Sequence, residues 1–322
     1  MFKKSIATIA INLPPRKGSW GGANQWTSQL TSFLRYTGYD VRHDLKKPVD
    51  AIVMTHTGLS AGTSFGADEF EAYRAKSGRK VPCIHRINDN DIRKGTTEMD
   101  AFLSRSSRVA DHTVFVSEWL RDHHAAKWFD NSRPHSVIEP GADPAVFHPL
   151  GNRPWNASEP FRIVTHHWSD NWSKGFDIYR DIDDAIASGD LADCELWIIG
   201  RWPSDLKWKK ARTIGPASGP ELAAHLRQCH AYVTASRYEP GAMHPVEGLQ
   251  CGLPLLYHSE TGGSLTVGKR YGTLIEGSVT DAVRAHQRNY APLRAKLLAE
   301  PPSGDLMCLS YRRLIQRLIS EN

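Results

Sequence analysis

The chain reads as an α/β protein built from two doubly wound, parallel-sheet domains. Three observations predict this. Short β-rich runs alternate with amphipathic helical stretches along nearly all of its 322 residues. One proline-rich stretch, PLGNRPWNASEP at 149–160, interrupts that alternation, and the pattern restarts after it. Finally, 40% hydrophobic and 23% charged residues, with ten Trp, 25 Gly and 19 Pro, suit a globular core cut by many tight turns. The break sets two domains, 1–150 and 151–322.

Residues 5–12 are the first strand. Lys3 and Lys4 precede an apolar run, but the run is short, contains Asn12, lacks a small-residue cleavage site and enters a Gly-rich loop, so it is not a signal peptide. In 23–36, Trp26, Leu30, Phe33 and Leu34 fall at helical spacing before Gly38 stops the helix. Strands follow at 51–55, 81–85, 113–116 and 136–138, separated by helices at 67–77, 97–108 and 118–128. Past the break, strands at 161–165, 195–199, 231–235 and 254–257 alternate with helices at 176–187, 220–228 and 245–251. Strands joined through helices form parallel sheets covered on both faces, that is, Rossmann-like units. Two such domains facing each other would enclose a cleft at the carboxyl ends of their strands, where open α/β sheets bind ligands. The tail, 281–320, is helical, and its end YRRLIQRLI (311–319) is amphipathic and basic. It packs on the domain it ends, crosses back to the first, or touches a membrane.

Composition excludes several classes. The formal charge is +5, with an excess of four positive charges in 1–150 and one in the remainder. No basic stripe or stacking motif accompanies it, so no nucleic acid is expected as partner; anionic small molecules or an anionic membrane surface remain. Five cysteines without a C-x-x-C spacing fit buried free thiols in a reducing cytoplasm rather than a disulfide framework or a zinc site. No apolar run approaches the ~18 residues of a membrane span. A nicotinamide dehydrogenase would need G-x-G-x-x-G after a strand, which is absent. The expected location is cytoplasmic, with peripheral contact at the inner membrane face as an option through the basic surface.

The segment that carries most chemistry is AYVTASRYEPGAMHPVEGLQCGLP at 231–254. It reads as a strand, a loop with Glu239, then a short helix containing Glu247 and stopped by Gly252 and Pro254. Pro245 suits the first helical position, which makes Glu247 the third, and Gly252 suits the position just past the end. Amides of 241–246 are then poorly used by the helix and form a natural anion site. Glu247 lies just inside, able to accept hydrogen bonds from the vicinal hydroxyls of a sugar. Alone, a Glu at the third helical position serves only a capping box.

The whole segment resembles the E-x7-E signature of retaining GT-B glycosyltransferases, in particular the large family 4. Ala235-Ser236-Arg237-Tyr238-Glu239 and Glu247-Gly248-Leu249-Gln250-Cys251-Gly252-Leu253-Pro254 match it with the spacing intact. The resemblance implies that Glu247 grips the ribose of a nucleotide-sugar donor and that Glu239 faces the donor sugar. It implies that amides of Gly241, Ala242 and Met243 approach the sugar and diphosphate. Pro240 stands where Gly is usual, and His244-Pro245 also depart from the pattern, so donor identity stays open. The loop Gly18-Ser19-Trp20-Gly21-Gly22 resembles the family's glycine loop, which places Gly21 and Gly22 on the donor phosphates and Trp20, Asn24 and Asn88 on the acceptor side. Within Ile84-His85-Arg86-Ile87-Asn88, His85 matches a histidine near the transferred sugar. Val114–Leu120 and 137–149 match hinge and scaffold stretches. Lys174-Gly175 matches the family's Lys-Gly, whose lysine neutralises the departing β-phosphate. The arginine usual about five residues earlier is missing, and His166, His167 or Arg201 are the candidates to replace it.

Two rivals complete the reading. Asp89-Asn90-Asp91 is formally the D-x-D of the metal-dependent GT-A fold, but it precedes a helix, where Asp is a common cap. Two α/β halves with an intact E-x7-E argue against GT-A. A phosphorylase would need a pyridoxal-phosphate lysine and a much longer chain. The expectation is a retaining, metal-independent hexosyltransferase of polysaccharide biosynthesis, without a cofactor. Its co-substrate is a nucleoside-diphosphate sugar and its acceptor a glycan or lipid-linked glycan. The alternative is a non-catalytic, glycosyltransferase-like nucleotide- or glycan-binding protein.

Overall fold

The structure is a computed structural model in which residues 5–16, 21–55 and 62–322 are described. The chain forms two units, one of residues 1–140 with 304–322 and one of 141–303.

In the first unit the described elements run β1 (Thr8–Ile11), α1 (Gly22–Tyr36), β2 (Asp40–Arg42), β3 (Ala51–Thr55), α2 (Ala67–Ser77), β4 (Cys83–Ile87), α3 (Asp91–Lys94), α4 (Met99–Val109), β5 (His112–Phe115), α5 (Glu118–Ala125) and β6 (His135–Val137). All strand pairs are parallel, in the order β2-β1-β3-β4-β5-β6. Side chains alternate between faces along a strand, and both faces are covered. Ile9, Ile11, Val53 and Ile84 pack with Trp26, Leu30 and Leu34 of α1, while Ala10, Ile52, Met54 and Cys83 pack with Phe70 of α2.

The second unit continues β7 (Phe161–His167), a 3-10 turn (Trp172–Lys174), α6 (Phe176–Ser188), β8 (Cys194–Gly200), β9 (Arg212–Ile214), α7 (Gly219–Leu226), β10 (Ala231–Thr234), α8 (Met243–Gln250), β11 (Leu255–His258), α9 (Ser264–Tyr271), β12 (Gly272–Ile275) and α10 (Val279–Ala299). Its sheet is again parallel throughout, in the order β12-β11-β10-β7-β8-β9. Val164, Trp197 and Tyr232 meet Val246 and Leu249 of α8 on one face; Ile163, Ile198 and Val233 meet Phe176, Tyr179 and Ile182 of α6 on the other. The strand order reverses between β7 and β10, so the crevice at their carboxyl ends is the switch point where this sheet geometry places a ligand.

The tail corrects the expectation of one helical stretch. Proline-containing 300–303 separates α10 from α11 (Gly304–Ser320), and α11 returns to the first unit. There Tyr311 meets Trp26 edge-on, ring centroids 5.6 Å apart, and Met307, Leu314, Ile315 and Leu318 join the core over α1. The apolar face of 311–319 is thus buried in protein, and each such side chain contributes about 1.5–3 kcal/mol by leaving water. No helix among the described residues is long and apolar enough to cross a membrane. All five cysteines are buried and unbridged.

Candidate functional site

Two loops meet at the β7/β10 switch point. The loop after β7 ends in the 3-10 turn, where the Asn171 side chain accepts from the Ser173 amide at 2.8 Å. At Gly175, φ is +86°, and an added Cβ would lie 2.4 Å from the Ala235 carbonyl oxygen. Only glycine lets α6 begin this close to the end of β10. The Ser173 carbonyl accepts from the Arg237 amide at 2.8 Å, which ties the two loops together. Lys174 is thereby set beside Glu239: its ammonium donates to the Glu239 carboxylate, and both side chains are largely withdrawn from water.

Glu239 is aimed by its neighbours. Tyr238 has φ +55°, the only positive value at a non-glycine among the described residues. A side chain in that region stores strain of the kind held at functional turns. The surrounding bonds over-determine it. Tyr238 donates its amide to the Glu260 carbonyl at 2.8 Å and its hydroxyl to the Glu260 carboxylate at 3.1 Å. Arg237 grips Asp177 through two bonds of 2.9 and 2.6 Å and reaches Glu260 at 3.1 Å. The hydrogen bond from Arg237 is the main reason the Asp177 carboxyl lies below its ordinary range. The Glu239 carbonyl accepts from the Gly263 amide at 2.7 Å, and a Cβ on Gly262 would approach that carbonyl to 2.5 Å.

The helix that carries the second carboxylate starts at Met243, with Ala242 as its N-cap, two residues before the expected start. Pro245 is therefore the third helical residue and Glu247 the fifth, which removes the capping-box reading. Pro is tolerated there because its missing amide would have no partner within the helix. Gly252, at φ +87°, does end the segment as the sequence requires. A Cβ on Gly248 would sit 2.3 Å from the Tyr232 ring, so α8 lies flat on that ring. Glu247 is 1% exposed; its Oε2 is 2.7 Å from His166 Nε2, and its Oε1 has no partner among the described residues.

The three candidates for the missing arginine separate. His166 engages Glu247. His167 is fully enclosed, with Nε2 3.1 Å from Thr165 Oγ1 and 3.0 Å from the Tyr179 hydroxyl. Burial first, then the nearby His244, Lys174 and His166, push its pKa well below 6.5, so it is neutral near pH 7. Arg201 gives its amide to the His167 carbonyl at 2.9 Å, and its side chain is exposed. The second unit thus brings Lys174, Glu239, His166 and Glu247 to one strand edge, with Gly241, Ala242 and Met243 at the entry of α8.

In the first unit His85 is a buried residue of β4. Asn88 accepts from the Thr55 hydroxyl at 2.9 Å. Asn24 accepts from the Arg16 amide at 2.7 Å and donates to the Arg16 carbonyl at 3.0 Å. Gly21 is the N-cap of α1 and Gly22 its first residue; Trp20 lies outside the described residues. Asp89-Asn90-Asp91 forms a capping knot. Asn90 accepts from the Arg93 amide at 2.8 Å, and Asp91 accepts from Thr96 Oγ1 at 2.7 Å and the Met99 amide at 2.8 Å. These bonds hold the Asp91 pKa below its ordinary value against burial, which opposes it. Among the described residues, Asp100, His123 and His124 are the one group with metal-ligand proximity, their atoms within 4.8 Å of one another. Lys127 already donates to Asp100 at 2.7 Å, and His124 is bonded to Trp128 at 3.1 Å and to the Asp89 carbonyl at 3.0 Å.

Residues 202–288 match the family Glycosyl transferases group 1, a stretch that includes Glu239 and Glu247. No curated protein is matched by sequence. Sucrose-phosphate synthase from Thermosynechococcus elongatus is similar in structure, with TM-score 0.67 and 16% identity over 98% of this chain and 100% of that one. HepE from Anabaena, in complex with UDP and glucose, gives 0.68 and 12% over 96% and 99%. The catalytic domain of starch synthase IV from Arabidopsis thaliana, bound to ADP and acarbose, gives 0.70 and 11% over 98% and 100%. These likenesses establish the fold as GT-B, two Rossmann-like α/β units each built on a six-stranded parallel sheet.

Proposed function

We propose that the protein is a retaining, metal-independent glycosyltransferase that moves a hexose-type sugar from a nucleoside-diphosphate sugar to a hydroxyl of a glycan or lipid-linked glycan. One observation carries the reading. A lysine on a carboxylate, Lys174 on Glu239, stands at the carboxyl edge of the sheet eight residues ahead of a second buried carboxylate with an unused oxygen, Glu247. The group 1 match over 202–288, which holds Glu239 and Glu247, and structures of similar fold bound to UDP or ADP support it.

In this reading Glu247 accepts from the ribose hydroxyls. Lys174 has three N–H donors, so it can keep Glu239 and still reach a diphosphate oxygen; the amides at the start of α8 serve the same anion. As the bond from the sugar C1 to the diphosphate breaks, the acceptor oxygen bonds C1 from the same face and its proton passes to the departing phosphate oxygen. The second unit supplies charge stabilisation and alignment: Lys174 holds the growing negative charge, while Glu239 is assigned to the sugar and its positive charge. A transfer assay with radiolabelled sugar nucleotides in EDTA tests this. Product that keeps the donor's anomeric configuration is expected; loss of transfer in EDTA with rescue by Mn²⁺ would refute metal independence.

A further inference from the structure

We infer that His166 is the positioning residue of the donor site: its imidazole fixes one oxygen of Glu247 so that the other is presented to the ribose diol of a nucleoside diphosphate. The inference rests on the proposed donor site and adds a residue that the E-x7-E pattern does not contain.

A carboxylate removed from water needs hydrogen-bond donors on both oxygens. Glu247 has one, His166 Nε2 at 2.7 Å from Oε2, while the equally buried Oε1 has none among the described residues. Contact at that distance requires a proton between nitrogen and oxygen. The rest of the imidazole is fixed by Tyr232, whose hydroxyl lies 3.1 Å from His166 Nδ1, 2.9 Å from His244 Nδ1 and 3.0 Å from the His166 amide. His244 Nε2 is in turn 3.4 Å from Ser236 Oγ.

The Tyr232 hydroxyl thus holds the ring from its Nδ1 side, and the shared proton between Nε2 and Oε2 holds it from the other. The network therefore holds the carboxylate plane still and leaves the lone pairs of Oε1 for a hydroxyl donor. It also joins Glu247 to Ser236 and to the first turn of α8, so one chain of bonds spans the ribose and diphosphate ends of the site.

The test compares His166→Gln with His166→Asn. The Gln amide nitrogen reaches the place of Nε2, whereas the Asn amide reaches only that of Nδ1. Calorimetry with UDP, ADP and GDP and their 2′-deoxy counterparts is run on wild type and both variants, with thermal melts to check folding. Wild type should prefer the ribo form of the nucleotide it binds. The Asn variant should bind that form on the order of tenfold more weakly, from the lost charge-assisted bond, and lose the preference; the Gln variant should recover most of it. Donor KM should rise in His166→Asn with kcat within about threefold, since ground-state and transition-state binding fall together. Unchanged ribo preference in His166→Asn, or a fall in kcat alone, would overturn the inference. If that variant does not fold, Tyr232→Phe should still weaken the preference, and an unchanged preference there overturns it too. Wild type that binds none of the three nucleotides overturns the donor-site reading beneath it. Wild type that binds without ribo preference overturns the positioning role alone.

Discussion

Lys174 and Glu239 meet in a partly enclosed setting, so replacing either side chain should carry a consequence. Withdrawing one partner leaves a buried charge alone, a change that is strongly destabilising where water is excluded. Lys174→Ala should lower kcat by a factor on the order of 10² if the ammonium stabilises the leaving diphosphate, with donor affinity changed far less; single-turnover kinetics at saturating donor would read it. Wild-type turnover would make Lys174 a structural partner of Glu239 only. Glu239 and Glu247 are readable in the sequence because they lie eight residues apart in one stretch, and Lys174 because it stands in a local Lys-Gly pair, although its contact with Glu239, 65 residues on, is not. His166 was visible only as one of three candidates for another task. Its true partner, Glu247, is 81 residues away, and nothing local in THHWS announces which oxygen it will face.

At the scale of an element, the site depends on where two helices begin. α6 is capped by Gly175, whose φ of +86° and close approach to the Ala235 carbonyl leave no room for a side chain. Gly175→Ala should cost at least about 1–2 kcal/mol from the left-handed backbone alone, and more from the clash, while displacing Lys174. A lower Tm together with reduced kcat is expected; a wild-type Tm would contradict the close approach. α8 starts two residues earlier than its proline suggests, since the first three helical positions all tolerate a missing amide, and position cannot be told from composition there. The central strands were legible from their apolar runs. β9, with its exposed residues, and the partly exposed β12 carry no such run, and α9 follows two glycines that read as loop.

At the scale of the whole chain, two parallel sheets follow from the repeated strand–helix alternation, but the return of α11 does not. An amphipathic basic helix has the same pattern whether its apolar face meets protein or lipid, and only the packing of Tyr311 on Trp26 decides it. Removing 304–322 should expose the α1 core and unfold the first unit, while the second unit, which keeps its own core, still binds nucleotide. Calorimetry should then show one transition lost and one kept. Both transitions unchanged in the truncated chain would show that α11 adds nothing to the first unit.

In the proposed function the second unit holds a nucleotide-sugar donor through Glu247. Titration of UDP, ADP and GDP into wild type and Glu247→Ala by calorimetry tests it most directly. The account predicts that at least one nucleotide binds wild type and that the variant binds it at least about tenfold more weakly, through the lost bonds to the ribose. Equal affinity in the two proteins, or no binding of any nucleotide by a folded wild type, would contradict it.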